Sequence, residues 1–118
     1  MKSCTNIEQS KKLAEILPLE SADMYWWSSG KRYYIEAMDD GDFNEKEGDI
    51  RAWSLAALLD VIPDSIYDNT YEYSQLEFSK KSVAYHDLND GIKIGSLKDN
   101  LVDACVETII KLNEQKLL

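Results

Sequence analysis

The clearest helix signal in the chain is the stretch SLAALLDVIP at residues 54–63. Its apolar residues recur at i, i+3, i+4 and i+7, which is the spacing of one helix face. They are Leu55, Leu58, Leu59 and Ile62. Ser54 can cap the first turn and Pro63 cannot continue the last one. The stretch therefore predicts a short amphipathic helix, and the segments on either side of it predict strands.

Upstream of this helix, residues 22–37 predict a β-hairpin. Residues 22–28 and 32–37 are rich in aromatic and β-branched strand formers, and Gly30 lies in the turn between them. Large side chains point to both faces of each strand, so both faces need cover. We expect either helices on both sides or an oligomer interface. The candidate interface residues are Trp26, Trp27, Tyr33 and Tyr34.

Downstream of the helix, a polar connection is predicted at residues 63–70 and a second hairpin follows it. Its strands are predicted at residues 71–78 and 82–87, with Lys80 and Lys81 in the turn. Residues 92–94 predict a further short edge strand. The second hairpin gives the later part of the chain the same plan as the earlier part.

A helix is also predicted at each end of the chain. The first spans residues 6–17, with Thr5 and Glu8 at the spacing of a capping box. The last spans residues 98–114, and either Ser96 or Asp99 caps it. Its apolar stripe comprises Leu101, Val102, Cys105, Val106, Ile109 and Leu112. This stripe and the leucines of the middle helix are predicted to pack on one face of a sheet.

These elements predict one α+β domain over residues 1–118. The order is α-β-β-α-β-β-α, and the strands are predicted to form an antiparallel sheet of about four strands with three helices. The architecture has two or three layers, depending on whether the first helix lies beside the other two or covers the opposite face.

The charge of the chain argues against two kinds of partner. Its 22 acidic and 13 basic residues give a formal charge of −9, so we expect neither nucleic acid nor an anionic membrane to be bound directly. The charge would suit a basic protein partner, or a mimic of a polyanion, or simply solubility. No run approaches the ~20 apolar residues of a membrane span, and no signal peptide is expected. Cys4 and Cys105 have neither disulfide-framework nor zinc-site spacing, which is typical of a cytoplasmic protein.

The acidic segment at residues 39–49 is the candidate cation site. Asp40, Asp42 and Asn44 match the first ligand positions of an EF-hand loop. The match then fails, since Glu45 occupies the glycine position and Arg51 the position of the bidentate glutamate. We predict a solvated loop and no metal site, with weak, adventitious cation binding as the alternative.

His86 is the single histidine and the candidate general base of an enzyme. Asp87 follows it, but adjacent strand residues point to opposite faces and do not pair. No nucleophile motif accompanies His86, and the Gly91-x-x-x-Gly95 spacing is not a phosphate loop. We therefore predict no catalytic residue and no cofactor, with an enzyme using His86 as the alternative.

Several stretches resemble a set of small uncharacterised proteins from phages and mobile elements of gut Bacteroidetes bacteria. They are residues 52–63 (AWSLAALLDVIP), 5–13 (TNIEQSKKL), 22–24 (ADM) and 103–107 (DACVE). The resemblance covers most of the chain in order, without residues 39–49 and 67–82. It implies a bacterial cytoplasm and an accessory role in phage biology, and it carries no known activity.

Together these observations predict a non-enzymatic phage or mobile-element accessory protein that acts through protein–protein contacts. The partner is an unidentified protein or a second copy of the chain in a homodimer. The alternative is an acidic mimic of nucleic acid that inhibits a host protein.

Overall fold

A computed structural model describes residues 2–38, 42–67, 73–87 and 91–118. Within these ranges lie three α-helices, namely α1 (Ile7–Ala14), α2 (Leu55–Val61) and α3 (Leu101–Glu114). The strands are β1 (Met24–Ser28), β2 (Tyr33–Ala37), β3 (Ile50–Ala52), β4 (Ser65–Tyr67), β5 (Tyr73–Phe78), β6 (Ser82–Asp87) and β7 (Gly91–Leu97). The predicted α+β class and the predicted order of helices and hairpins are confirmed.

The strands form two antiparallel sheets, which refines the predicted single sheet of about four strands. One sheet has the order β2-β1-β3 and the other has the order β4-β5-β6-β7. β3 pairs with β1 and β4 pairs with β5. No strand is predicted at residues 50–52, which follow the predicted loop, and β4 lies within the predicted polar connection at residues 63–70. Each of these two strands is three residues long, so pairing with a neighbour defines it and its own pattern does not. The predicted edge strand β7 is longer than expected.

The helix caps differ in part from their predicted positions. Asn6 caps α1 and forms the capping box with Gln9, in place of Thr5 and Glu8. The Thr5 hydroxyl is buried, lies 2.7 Å from the Ser10 hydroxyl and accepts a 3.1 Å bond from the Trp53 backbone N–H. It is therefore engaged in the core.

The other two helices are also capped by a polar side chain. Ser54 caps α2 as predicted, since its hydroxyl accepts from the Ala57 backbone N–H. Asn100 caps α3, one residue after the predicted Asp99. Both cap side chains satisfy a backbone donor that the first helical turn leaves unpaired.

The main core joins the three helices to one face of the four-stranded sheet, on which α3 packs. α3 packs against β6, β7 and α2, as the apolar stripes predict, and α1 contacts β3 and α3. The large, fully buried side chains of this core include Trp53, Tyr85, Leu13, Leu58, Ile109 and Leu112. Burying an aliphatic side chain of this size contributes about 1.5–3 kcal/mol, so this cluster dominates folding.

The three-stranded sheet extends away from that core. Its contact with the helices runs through β3, which packs on α1, while β1 lies between β3 and β2. The radius of gyration is 15.5 Å. A compact chain of this length has a radius of gyration of roughly 13.5 Å. The molecule is therefore elongated, and β2 is an edge strand far along the sheet from the helices.

Candidate functional site on the β1–β2 hairpin

One face of the β1–β2 hairpin gathers aromatic and acidic side chains. Tyr25 lies opposite Glu36, and Trp27 lies opposite Tyr34. Since alternate residues of a strand share a face, these four side chains lie together. We call this set the hairpin face.

Two rings of the hairpin face stack across the strands. The rings of Trp27 and Tyr34 are 4.8 Å apart between centroids, with an angle of 28° between their planes. Trp27 is half-buried, whereas Tyr34 is 40% exposed. The stack leaves a large aromatic surface accessible at the edge of the sheet, where a partner could cover it.

The opposite face carries the other two predicted interface residues. Trp26 pairs with Ile35, and its indole Nε1 donates a 3.0 Å bond to the Thr5 carbonyl, which ties this face to the start of α1. Tyr33 shares that face and is 44% exposed. The four predicted residues are thus brought onto one hairpin but not onto one surface.

A segment from the acidic loop folds back beside the hairpin face. Phe43 packs edge-on against Tyr25, with centroids 5.6 Å apart at 73°. The Arg51 guanidinium lies 4.6 Å from the centre of the Phe43 ring, and its Nε donates a 3.2 Å bond to Glu45 Oε1. Gly48 closes the turn at a φ of 90°, in the left-handed region that favours glycine.

An open cavity of about 250 Å³ lies between the hairpin and this segment. Its lining residues are Tyr25, Trp27, Ser28, Glu36, Asp42, Glu47 and Asp49. Four of these carry carboxylates, and none of the lining residues is basic. We call this feature the acidic cavity.

Both burial and the neighbouring carboxylates affect the pKa of Tyr25. Tyr25 is 3% exposed, and its hydroxyl donates a 3.0 Å bond to Glu36 Oε2. Burial, this bond and the charges of Glu36, Asp42 and Asp49 raise the pKa of the Tyr25 phenol to about 12. Burial is the largest of these causes, and the bond to Glu36 and the nearby carboxylates add to it, so the Tyr25 phenol stays neutral.

The sequence indicated the hairpin aromatics and the acidic loop separately, but it did not predict that they meet, nor that Glu36 belongs to the site. Glu36 was detectable in principle, because it lies two residues after Tyr34 and therefore shares its strand face. Asp49 and Glu47 depend on how the loop folds back, which no local pattern reports.

The cation hypothesis for residues 39–49 is tested over part of its length. Across the described ranges, no group of three or more acidic, histidine or cysteine side chains is placed to hold a metal ion. Asp39, Asp40 and Gly41 lie outside the described residues. Among the described ones, Asp49 Oδ2 accepts a 2.9 Å bond from the Asn44 backbone N–H, which gives this carboxylate a role within the loop.

His86 lies on the outer face of the four-stranded sheet. Its Nε2 is 3.3 Å from Glu77 Oε2 on the neighbouring strand. It borders an open cavity of about 480 Å³ with Ser82, Ala84 and Leu97. Within the described part of the chain, no hydroxyl or thiol is hydrogen-bonded to His86. The hypothesis of an enzyme with His86 as base therefore has a histidine–carboxylate pair but lacks an associated nucleophile among these residues.

The two cysteines lie apart from both cavities. Cys105 is buried in α3, and burial raises the pKa of its thiol to about 12. Such a thiol remains protonated and behaves as a small core side chain.

No described helix is both long and apolar enough to cross a membrane. Comparison of the chain with protein-family models, curated proteins and solved structures finds no match.

Proposed function

We propose that this protein is a non-enzymatic accessory protein of a phage or mobile element, which binds a basic protein partner through the hairpin face in a bacterial cytoplasm. The observation that carries the proposal is the Trp27–Tyr34 stack beside the acidic cavity, in which Trp27 is half-buried and Tyr34 is 40% exposed. The phage origin and the location rest on the sequence resemblance alone.

The aromatic part of the hairpin face supports a protein partner. Tyrosine and tryptophan are enriched where proteins bind each other, because they supply rigid contact area and a polar group in one side chain. A nucleic acid could also stack on such rings, but it would bring phosphates towards Glu36 and Asp49. Repulsion between the phosphates and these carboxylates would oppose binding, so a protein is a better partner for this surface than a nucleic acid.

The charge of the same surface favours a different protein over a second copy of this chain. Two copies that met through their hairpin faces would bring two acidic cavities together. The overall charge of −9 adds to this repulsion. A partner with lysine or arginine at its contact surface would gain from the same field.

The spread of carboxylates supports local recognition over imitation of a nucleic acid. Exposed acidic side chains occur on all three helices and on the four-stranded sheet as well as around the acidic cavity. Examples are Glu8, Asp60, Glu77 and Glu114. A polyanion mimic would concentrate its charge along one face at the spacing of duplex phosphates.

Affinity capture with two matched variants tests this proposal. Tyr34→Ser removes a ring from the hairpin face, whereas Tyr33→Ser removes the neighbouring ring from the opposite face. Wild-type and Tyr33→Ser baits should retain the same basic protein from a gut Bacteroidetes lysate, and the Tyr34→Ser bait should lose it. The complex should then re-form from the two purified proteins. Equal retention by all three baits would refute the proposal.

A further inference from the structure

The acidic cavity has the composition of a site for an organic cation. Its walls combine the aromatic side chains of Tyr25 and Trp27 with the carboxylates of Glu36, Asp42 and Glu47. Cations are attracted both to aromatic faces and to carboxylates, so the two kinds of wall favour the same ligand. With about 250 Å³ of volume, the cavity has room for on the order of eight water molecules, which an entering side chain would displace.

The placement of the carboxylates favours a large cation over a metal ion. They do not converge in a group that could hold a metal, within the part of the chain that the structure describes. A guanidinium group spans a wider area and offers five N–H donors in a planar fork, so it can reach separate carboxylates at once.

The chain already holds one of its own arginines in this way. The Arg51 guanidinium lies over Phe43 while its Nε donates to Glu45 Oε1, on the strand next to the hairpin. Phe43 in turn packs against Tyr25, which lines the acidic cavity. The same combination of ring and carboxylate is repeated around the cavity, where no lining residue supplies the cation.

We infer that the acidic cavity receives the guanidinium of an arginine side chain from the protein partner. The Trp27–Tyr34 stack flanks the entering side chain, and Glu36 is one of the carboxylates that pair with it. Tyr25 supports Glu36 by donating its hydroxyl hydrogen bond to Oε2, which leaves the other carboxylate oxygen to accept from the ligand. This inference rests on the proposed function and specifies its contact residue.

The test uses small probes with the full-length protein. Blocked arginine (Nα-acetyl, C-terminal amide) is titrated while the indole N–H signals of the three tryptophans are followed by NMR. The Trp27 indole is a suitable reporter, because Trp27 lines the acidic cavity. We expect a saturable shift of the Trp27 signal with a dissociation constant on the order of 1 mM, and unchanged Trp53 signals.

Two controls separate this site from general charge attraction. Blocked citrulline has nearly the same shape as arginine without its charge, and it should produce no saturable shift. Glu36→Gln should weaken arginine binding about fivefold, whereas Glu8→Gln on α1 should leave it unchanged. Glutamine can still accept the bond from Tyr25, so the variant should keep the fold.

The outcomes distinguish this inference from the proposed function. If arginine shifts all three indoles equally, or citrulline binds as well as arginine, or Glu36→Gln has no effect, the arginine site is refuted. If the Tyr34→Ser bait nevertheless loses a basic partner in the capture experiment, the proposed function stands without it. If arginine binds as expected but every bait retains the same proteins, the site stands and the proposed function fails.

Discussion

Tyr85 of the four-stranded sheet and the Trp27–Tyr34 pair of the three-stranded sheet lie in contrasting environments. In the four-stranded sheet, Val83, Tyr85 and Ile94 share one face and are buried under α3. In the three-stranded sheet, Trp27 and Tyr34 share a face, yet no described helix packs on β1 or β2 to a comparable extent. The first arrangement stabilises the fold, whereas the second leaves apolar area available for contact with a partner.

Burial distinguishes two tyrosines that the sequence pattern alone would treat alike, Tyr85 and Tyr34. The hydroxyl of Tyr85 donates a 2.5 Å bond to the Pro63 carbonyl, so both its ring and its polar group are satisfied within the chain. Tyr34 is held through its ring alone among the contacts of the described residues. A tyrosine with a satisfied hydroxyl and no exposure contributes to folding. Tyr34 is 40% exposed and stacks on Trp27, which lines the acidic cavity, so it is better placed for recognition.

The largest effect should come from breaking the core beneath the sheets. Trp53 is fully buried, and its indole Nε1 donates a 2.9 Å bond to the Ser21 hydroxyl. Trp53→Ala should lower the free energy of unfolding by about 3–5 kcal/mol, through lost burial and the cavity left behind. Urea titration followed by circular dichroism measures it.

Trp53→Phe is the matched control, since it keeps most of the ring and removes the hydrogen bond. It should cost less than Trp53→Ala. A loss below 1 kcal/mol for the alanine variant would place the main core elsewhere.

The core elements were predictable because their signals are local. Ser54, Pro63 and the leucine spacing define α2 within ten residues, and β6 has the predicted bounds. The caps of α1 and α3 differ from the predicted ones, and at α1 a tertiary contact competes for the predicted cap side chain. Thr5 is drawn into a buried hydrogen-bond pair with Ser10.

The candidate site was predictable only where its sequence signals are local. The aromatic residues of the hairpin and the acidic loop are both visible in the sequence. Their meeting depends on β3, a three-residue strand that exists because it pairs with β1 at Met24 and Ala52. Periodicity reports which face a residue occupies but not which distant segment covers that face.

The second prediction concerns the contact between the N-terminal segment and α3. Asp103 Oδ1 accepts bonds from Lys2 Nζ at 2.6 Å and Gln9 Nε2 at 2.8 Å, and Asn100 donates to Oδ2. Burial alone would raise the pKa of Asp103, but these hydrogen bonds and the Lys2 charge outweigh it and lower the pKa below its ordinary value of 3.8. The folded state therefore favours the ionised carboxylate.

A lowered pKa in the folded state makes this contribution pH-dependent. It is complete above the unfolded-state pKa and is lost as the pH falls through the folded-state pKa. Asp103→Asn should cost about 1 kcal/mol at neutral pH and flatten the acid limb of the stability curve. Unfolding measured from neutral pH to about pH 2 tests this, with Asp99→Asn as the control. Parallel acid limbs for wild type and Asp103→Asn would contradict the assignment.

The third prediction separates the two faces of the hairpin by stability. Tyr34→Ser removes the stack on Trp27 and should cost about 0.5–1.5 kcal/mol, while the fold is retained. Tyr33→Ser removes an equally exposed ring and should cost less. Thermal unfolding of both variants measures these costs. A cost as large as that of Trp53→Ala for either variant would contradict this account.

The smallest expected effect is that of Glu36→Gln on self-association. Repulsion between acidic cavities predicts that the protein is monomeric at micromolar concentration in low salt. Light scattering measures the mass directly, and Glu36→Gln should leave it unchanged. A dimer that Tyr34→Ser dissociates would assign the hairpin face to a second copy of the chain.

The most direct test of the central claim is the affinity of a tetra-arginine peptide for Tyr34→Ser and Tyr33→Ser, measured by isothermal titration on samples shown to be folded. The account predicts binding weakened roughly threefold to tenfold in Tyr34→Ser and unchanged in Tyr33→Ser. Equal affinities for the two variants would show that the hairpin face is not a binding surface for basic partners.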